Sequence, residues 1–233
     1  MLALAALVLL AVAPLAAAGQ HSHQRSDAVS SKPQAAEAAA IKPDAPTITF
    51  LKIFKSSSPS YVKIQLDRQG AGTYDIRQLP DRPRPQPFQI SPALAAKIFS
   101  LARRLHDFDG IQLETRRRIA NLGEKTFLYE KAGTSYQVSF NYTLNSTAND
   151  LLTIFEGLSL QDQYIEQLRS SMRYDPLGLY QVLVRLGRDV QAGQLADPAA
   201  LTPLLNKIAA DKNLLDIARD RASAIVASFH HGK

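Results

Sequence analysis

Along Tyr61 to Phe155 the apolar positions run through the order strand, strand, helix twice. In Tyr61 to Asp67 they alternate, with Val62, Ile64 and Leu66 on one face and Lys63, Gln65 and Asp67 on the other, the pattern of a half-buried strand. Gly70 and Gly72 predict a turn, after which Tyr74 and Ile76 continue the inward face. At Ser91-Pro92 the period lengthens. A hydroxyl suited to capping precedes a proline whose missing N–H does no harm, and Leu94, Ile98, Leu101 and Leu105 recur at helical spacing. The second round has Glu124 to Glu130, a turn at Ala132-Gly133, Ser135 to Tyr142, and a helix from near Ala148 through Leu151, Leu152, Ile154, Phe155 and Leu158. This predicts an α+β domain over residues 47–158, an antiparallel sheet made from two hairpin-helix units with helices on one face.

Around these units the pattern is weaker. Ile48, Phe50 and Ile53-Phe54 predict a short apolar strand before the turn at Ser56 to Pro59. Asp81 to Pro87 holds Pro83, Pro85 and Pro87 and is expected to be an exposed connector outside both helix and sheet. After Leu158 the pattern stays helical, with a helix opened by Ser159 and carrying Tyr164, Ile165 and Leu168. Two segments then echo one another at an offset of 22 residues: Asp175-Pro176 with Leu179, Leu183 and Leu186, and Asp197-Pro198 with Leu201, Leu205 and Ile208. Asp-Pro is expected to supply a cap and a first-turn proline to each copy, and each copy to end in Asp, at Asp189 and Asp211. A last helix carries Leu214, Leu215, Ile217, Ala218, Ile225 and Val226. The expectation is an all-α C-terminal region over 159–229, similar to a short HEAT-type helical repeat, then a frayed tail over 230–233.

Composition changes the picture in two places. The chain has no cysteine, which excludes thiol catalysis, a disulfide framework and a lipidated N-terminal Cys, so stability rests on packing. Met1 to Ala18 is apolar throughout, with Pro14 and the small residues Ala16 and Ala18 near its end, and reads as a signal peptide cleaved after Ala18. No Lys or Arg precedes the run, and an uncleaved anchor is the rival reading. Export to the periplasm or medium is the expectation. Residues 19–46, rich in Ala, Ser, Gln and His, read as a disordered leader. Cleavage after Ala18 would start the chain at Gly19-Gln20-His21, an end that can wrap Cu(II) or Ni(II), with His23 as a spare ligand.

The formal net charge of +6 suits lipid phosphates, cell-wall polymers or other polyanions of the envelope. Arg116, Arg117 and Arg118 are the densest charge, and with Arg103 and Arg104 they form a candidate anion-binding face that Arg82 and Arg84 can extend. No aromatic residues interleave with them and no nucleic-acid module is recognised. Phe127, Tyr129, Tyr136, Val138, Phe140 and Tyr142 give the second hairpin an aromatic surface, which is core if covered and a docking surface if not. Asp107 to Glu114 resembles half of a calcium loop but lacks its spacing and reads as a loop. Asn141-Tyr142-Thr143 and Asn145-Ser146-Thr147 match the glycosylation pattern.

His106, at a helix C-terminus, is the one imidazole away from the chain ends. There is no nucleophile elbow, phosphate loop or zinc helix, and no cofactor motif. The repeated hairpin-helix unit from Tyr61 to Phe155 resembles the layout of small exported bacterial modules such as the beta-lactamase-inhibitor-protein-like folds, and the resemblance implies binding of other proteins through a sheet face. The expectation is an exported, non-enzymatic binding or scaffold protein of the bacterial envelope, partnered by another protein or an anionic polymer. Two alternatives stand beside it. One is an envelope hydrolase with a carboxylate pair that meets only in the fold, and the other is a Cu- or Ni-binding N-terminus.

Overall fold

The computed structural model describes residues 45–231, and in it the strand expected ahead of the two units lies between them. β1 (Thr47–Ile53) pairs antiparallel with both β2 (Tyr61–Asp67) and β5 (Glu124–Lys131). With β3 (Ala71–Arg77), β4 (Gln86–Gln89) and β6 (Thr134–Phe140) they make a six-stranded sheet in the order β4-β3-β2-β1-β5-β6. Thr47, Ile48, Thr49 and Phe50 are all buried, although successive side chains point to opposite faces. Burial on both sides is what a central strand requires, and its polar members are β-branched threonines. The signal peptide, the leader as far as residue 44 and the Gly19-Gln20-His21 motif lie outside the described residues.

The two hairpins turn differently. β5 and β6 are joined by two residues, Ala132 at φ 46° and Gly133 at φ 81°, the left-handed pair that matches the twist of the strands. β2 and β3 are joined by Arg68-Gln69-Gly70, with Gly70 at φ 83° and the Asp67 carboxylate accepting from the Gln69 N–H at 2.9 Å and the Ala71 N–H at 3.1 Å. Gly72, expected in this turn, is instead a strand residue opposite Phe88, where a Cβ would meet the Phe88 ring at 2.7 Å. The expected connector is likewise partly sheet. Gln86 and Pro87 open β4, with Pro87 opposite Thr73. An edge strand tolerates a residue without an N–H, which a central strand does not.

Both helices that follow the hairpins pack on one face of the sheet. α1 (Pro92–Arg104) is capped by the Ser91 hydroxyl, and α2 (Ser146–Tyr174) by the Asn145 side chain, which accepts from the Ala148 N–H at 3.0 Å. Beneath them Ile48, Phe50, Ile64, Leu66 and Phe127 are fully buried. The Phe127 ring centroid lies 5.4 Å from Phe108, 5.4 Å from Phe140 and 5.8 Å from Phe50, and Phe50 stacks on Phe155 at 5.1 Å. Phe127, Tyr129, Val138 and Phe140 of the second hairpin are therefore core. His106, Asp107 and Phe108 follow α1 at φ 56°, 50° and 72°, a left-handed turn that sets Phe108 against Phe127. Such backbone is costly for residues with a Cβ, and the stacked ring offsets it. The buried Lys125 ammonium donates to the carbonyls of Leu122, Gly123 and Asn141 at 3.2, 3.0 and 2.8 Å, while burial and then the charge of Lys52 lower its pKa.

No new helix opens at Ser159, which is buried within the 29 residues of α2. The first half of α2 sends Ala148, Leu151, Ile154, Phe155 and Leu158 into the sheet core. The second half sends Tyr164 and Leu168 into a separate cluster with α3 (Leu179–Gln191), α4 (Thr202–Ala210) and α5 (Asp216–His231). The C-terminal region is helical as expected, and α5 continues to His231, past the start of the expected tail. Asp175 and Asp197 share one backbone geometry, φ −144° and −142° with ψ 67° in both, and Leu179, Leu183, Leu186, Leu201, Leu205 and Ile208 are all fully buried.

The Asp-Pro capping role differs from expectation. Asp175 accepts from the Gly178 N–H in the turn before α3, and the Asp197 carboxylate accepts from the Ser91 N–H at 2.7 Å, at the far helix α1. Asp189 is not terminal but buried within α3, taking the Tyr164 hydroxyl at 2.5 Å.

Two contacts hold the loop after α3 against α2. The Asp197 N–H donates to Gln161 at 3.1 Å, and Gly157 lies where a Cβ would stand 2.9 Å from both the Ala196 nitrogen and the Gln194 oxygen. Both obstacles are backbone. A Gly157→Ala substitution therefore destabilises the protein by about 1–3 kcal/mol despite the better helix propensity of Ala, read as a lower urea midpoint.

Candidate functional site

The arginines singled out by sequence fall in two places. Arg103 and Arg104 occupy the last turn of α1, and Arg116, Arg117 and Arg118 lie in the loop before β5. All five are exposed, and no ion pair involves any of them among the described residues. Arg104 donates to the Thr147 hydroxyl at 3.0 Å, and the Arg117 N–H to the Thr115 hydroxyl at 3.3 Å. Among the described residues no hydrogen bond or ion pair joins the two groups. Asn141 and Asn145, the two glycosylation candidates, use their side chains internally: Asn141 bonds the backbone of Leu122 and Ala120, and Asn145 caps α2.

A different basic cluster is assembled by the proline-rich connector. Arg77, on β3, pairs with Asp75 at 3.0 Å, lies 4.1 Å over the Tyr61 ring, and donates to the carbonyls of Gln78, Leu79 and Asp81. Asp75 also accepts from the Arg84 N–H at 3.1 Å. One part-buried ion pair thus fixes both ends of the segment Gln78 to Arg84, and that places Arg84 beside the helices of the C-terminal region.

There Arg84 lines a groove of about 1060 Å³ between the second half of α2 and α4. The half-buried Ile165, Met172 and Leu204 supply apolar surface, and Arg84, Arg169, Arg173 and Lys207 supply positive charge against Glu166 and Asp211. Arg169 is spent on Glu166 at 3.1 Å, whereas Arg84, Arg173 and Lys207 have no carboxylate partner among the described residues. Tyr174, at the end of α2, also lines the groove and is 75% exposed, with the Arg173 guanidinium 5.7 Å from its ring. An aromatic ring left this open beside unpaired arginines is a surface suited to a partner. Sequence periodicity shows Ile165 as apolar, but it gives no sign that Arg84 stands across from it.

One helical turn before these α2 residues is Asp162, 6% exposed, with its Oδ1 buried and without a hydrogen-bond partner. Burial pushes its carboxyl up to about 7, the Tyr74 phenol opposes that shift, and the charge of Glu166 adds to it while Arg169 subtracts. Tyr74 is itself pushed up by burial and then by Asp162. Asp162 and Glu166, four residues apart on α2, are two carboxyls near enough for the charge of Glu166 to act on Asp162, but neither Asp162 nor Tyr74 lines the groove.

A carboxyl whose pKa is raised on folding binds its proton more tightly in the folded state. Stability is then fully present below the unfolded value of about 4, falls as pH rises to about 7, and is level above that. Replacing Asp162→Asn removes this slope and leaves the variant about 2–4 kcal/mol more stable than the parent at pH 8 relative to their difference at pH 4. Urea unfolding of both proteins across pH 4–8 checks it, and parallel profiles would refute it. No family model and no curated protein matches the chain.

Proposed function

We propose that this is an exported, non-enzymatic binding protein of the bacterial envelope, which holds an acidic segment of a partner protein in the groove between α2 and α4. The observation that carries the proposal is the set Arg84, Arg173 and Lys207, without carboxylate partners among the described residues, around an apolar floor of Ile165, Met172 and Leu204. Unpaired cations around an apolar strip favour a ligand with carboxylates flanking one or two hydrophobic anchors, and charge complementarity speeds and orients its docking. The exposed Tyr174 and Leu177, each 75% exposed, extend the surface beyond the groove. Of the two Asp-Pro segments only the second, through α4, lines the groove in this reading, with α2 as its other wall. Export is supported by the apolar run Met1 to Ala18.

Hydrolysis at the Asp162 and Glu166 pair is the second reading, favoured by the carboxyl held near pH 7. It requires a substrate to reach Asp162, and a general acid must come within hydrogen-bond reach of the group it protonates. The burial of Asp162 therefore supports binding over catalysis.

Selection of displayed peptides on the full chain tests the proposal. The expected winners are rich in Asp and Glu around an aliphatic or aromatic anchor. Their affinity falls at least about tenfold in an Arg84→Glu, Arg173→Glu, Lys207→Glu variant, and weakens with salt. Winners without acidic residues, or winners that bind the charge-reversed protein equally, overturn the reading. Binding of an anionic cell-wall polymer in preference to every acidic peptide would assign the groove to the polymer instead.

A further inference from the structure

The sheet ends in two unlike edges. β4 is four residues long and contains Pro87, so it offers few groups to a further strand. β6 is seven residues, Thr134-Ser135-Tyr136-Gln137-Val138-Ser139-Phe140, with no proline and no charge. Its register with β5 runs from Thr134 to Phe140 without a bulge. Among the described residues, none of the devices that ordinarily blunt an exposed edge is present on it.

The free groups of this edge follow from the hairpin. With a two-residue turn, Lys131 and Thr134 form the hydrogen-bonded pair that closes the loop. Thr134, Tyr136, Val138 and Phe140 then bond inward to β5, and the N–H and C=O of Ser135, Gln137 and Ser139 point outward. No hydrogen bond takes these groups among the described residues. Beyond Phe140 the edge is closed, because the Asn141 N–H donates to Glu114 at 2.5 Å and the Tyr142 carbonyl accepts from the Thr115 N–H at 3.0 Å. The open stretch is thus Thr134 to Phe140, and its midpoint is Gln137.

We infer that β6 pairs antiparallel with β6 of a second copy of this chain, about a two-fold axis at Gln137, joining two sheets into one of twelve strands. The strand is self-complementary in that register. Gln137 meets Gln137 of the other copy, Ser135 meets Ser139 on the open face, and Tyr136 meets Val138 on the helix-covered face. Residues of one face meet residues of the same face, and no charge opposes a like charge. Ser135, Gln137 and Ser139 each face a residue whose groups also point outward, so all their free N–H and C=O groups are satisfied across the axis. A two-fold contact of this kind closes on itself and does not propagate. The edge is short, so the dimer depends on concentration.

The absence of cysteine makes the register directly testable on the full chain. In Gln137→Cys the two thiols sit at a hydrogen-bonded pair with Cα atoms about 5.5 Å apart, within disulfide range. In Ser135→Cys they are roughly 14 Å apart, outside it. Mild oxidation is expected to convert Gln137→Cys to a covalent dimer and to leave Ser135→Cys monomeric on a non-reducing gel. In sedimentation, the parent chain is expected to shift from monomer to dimer as concentration rises. Gln137→Pro, which removes an outward N–H that the protomer does not use, is expected to abolish the shift. Gln137→Lys, which keeps the N–H but sets like charges at the axis, does the same if the proline variant does not fold. A parent chain that stays monomeric, a dimer that survives Gln137→Lys, or equal cross-linking from both thiol positions overturns the inference.

Discussion

The rest of the structure depends on α2 serving two cores in succession. A helix of 29 residues is about 43 Å long, longer than the sheet core it starts in, so its second half needs another layer to bury its apolar face. α3, α4 and α5 provide that layer. The change of partner happens at Gly157 to Asp162, where the buried residues turn polar: Ser159, Gln161 and Asp162. What faces α2 there includes loop backbone, the Gln194 oxygen and the Ala196 nitrogen against Gly157 and the Asp197 N–H on Gln161. Backbone packed against a helix needs small residues for approach and polar ones for its hydrogen bonds, which accounts for this composition. Asp197 then reaches the Ser91 N–H, so one loop ties α1, α2 and the C-terminal helices together.

Much of this was legible where period alone decides the outcome. The alternation of Val62, Ile64 and Leu66 located β2 and its inward face, Ser91-Pro92 located the start of α1, and the spaced leucines after each Asp-Pro pair located the buried faces of α3 and α4. Period reports which face of an element is buried, but not what lies beside it, so the central place of β1 was not legible. Ser159 was misread because Ser caps helices well, and only the burial around it shows that no cap is needed there. Gly72 was misread because glycine serves both turns and close contacts, and the ring of Phe88 is sixteen residues further on. The groove was the least legible part. Arg84 lines the same groove as Lys207 because Arg77 folds the connector back, and that placement comes from three carbonyls and an ion pair that carry no periodic signal.

The same packing separates the surfaces left for function. Helices cover one face of the sheet, so Phe127, Tyr129 and Phe140 of the second hairpin are spent on the core, while Tyr136 is partly buried and Tyr142 stays exposed. The proline-rich segment does two jobs at the opposite margin. Its Pro87 ends the sheet with a strand that cannot fully pair outward, and its Arg84, held by Asp75, reaches the helical groove. The groove and the open β6 edge share no residues: the groove takes Arg84 from the connector between β3 and β4, and β6 is the edge strand at the other end of the sheet order from β4. A partner in the groove would not compete with a second copy at β6, because neither Tyr174 nor any other groove residue belongs to the second hairpin. Two copies joined at β6 would instead present two grooves to one partner. A segment bound in one groove raises the effective concentration of its neighbour at the other, so a dimer too weak to persist alone is reinforced by a ligand that carries the acidic segment twice.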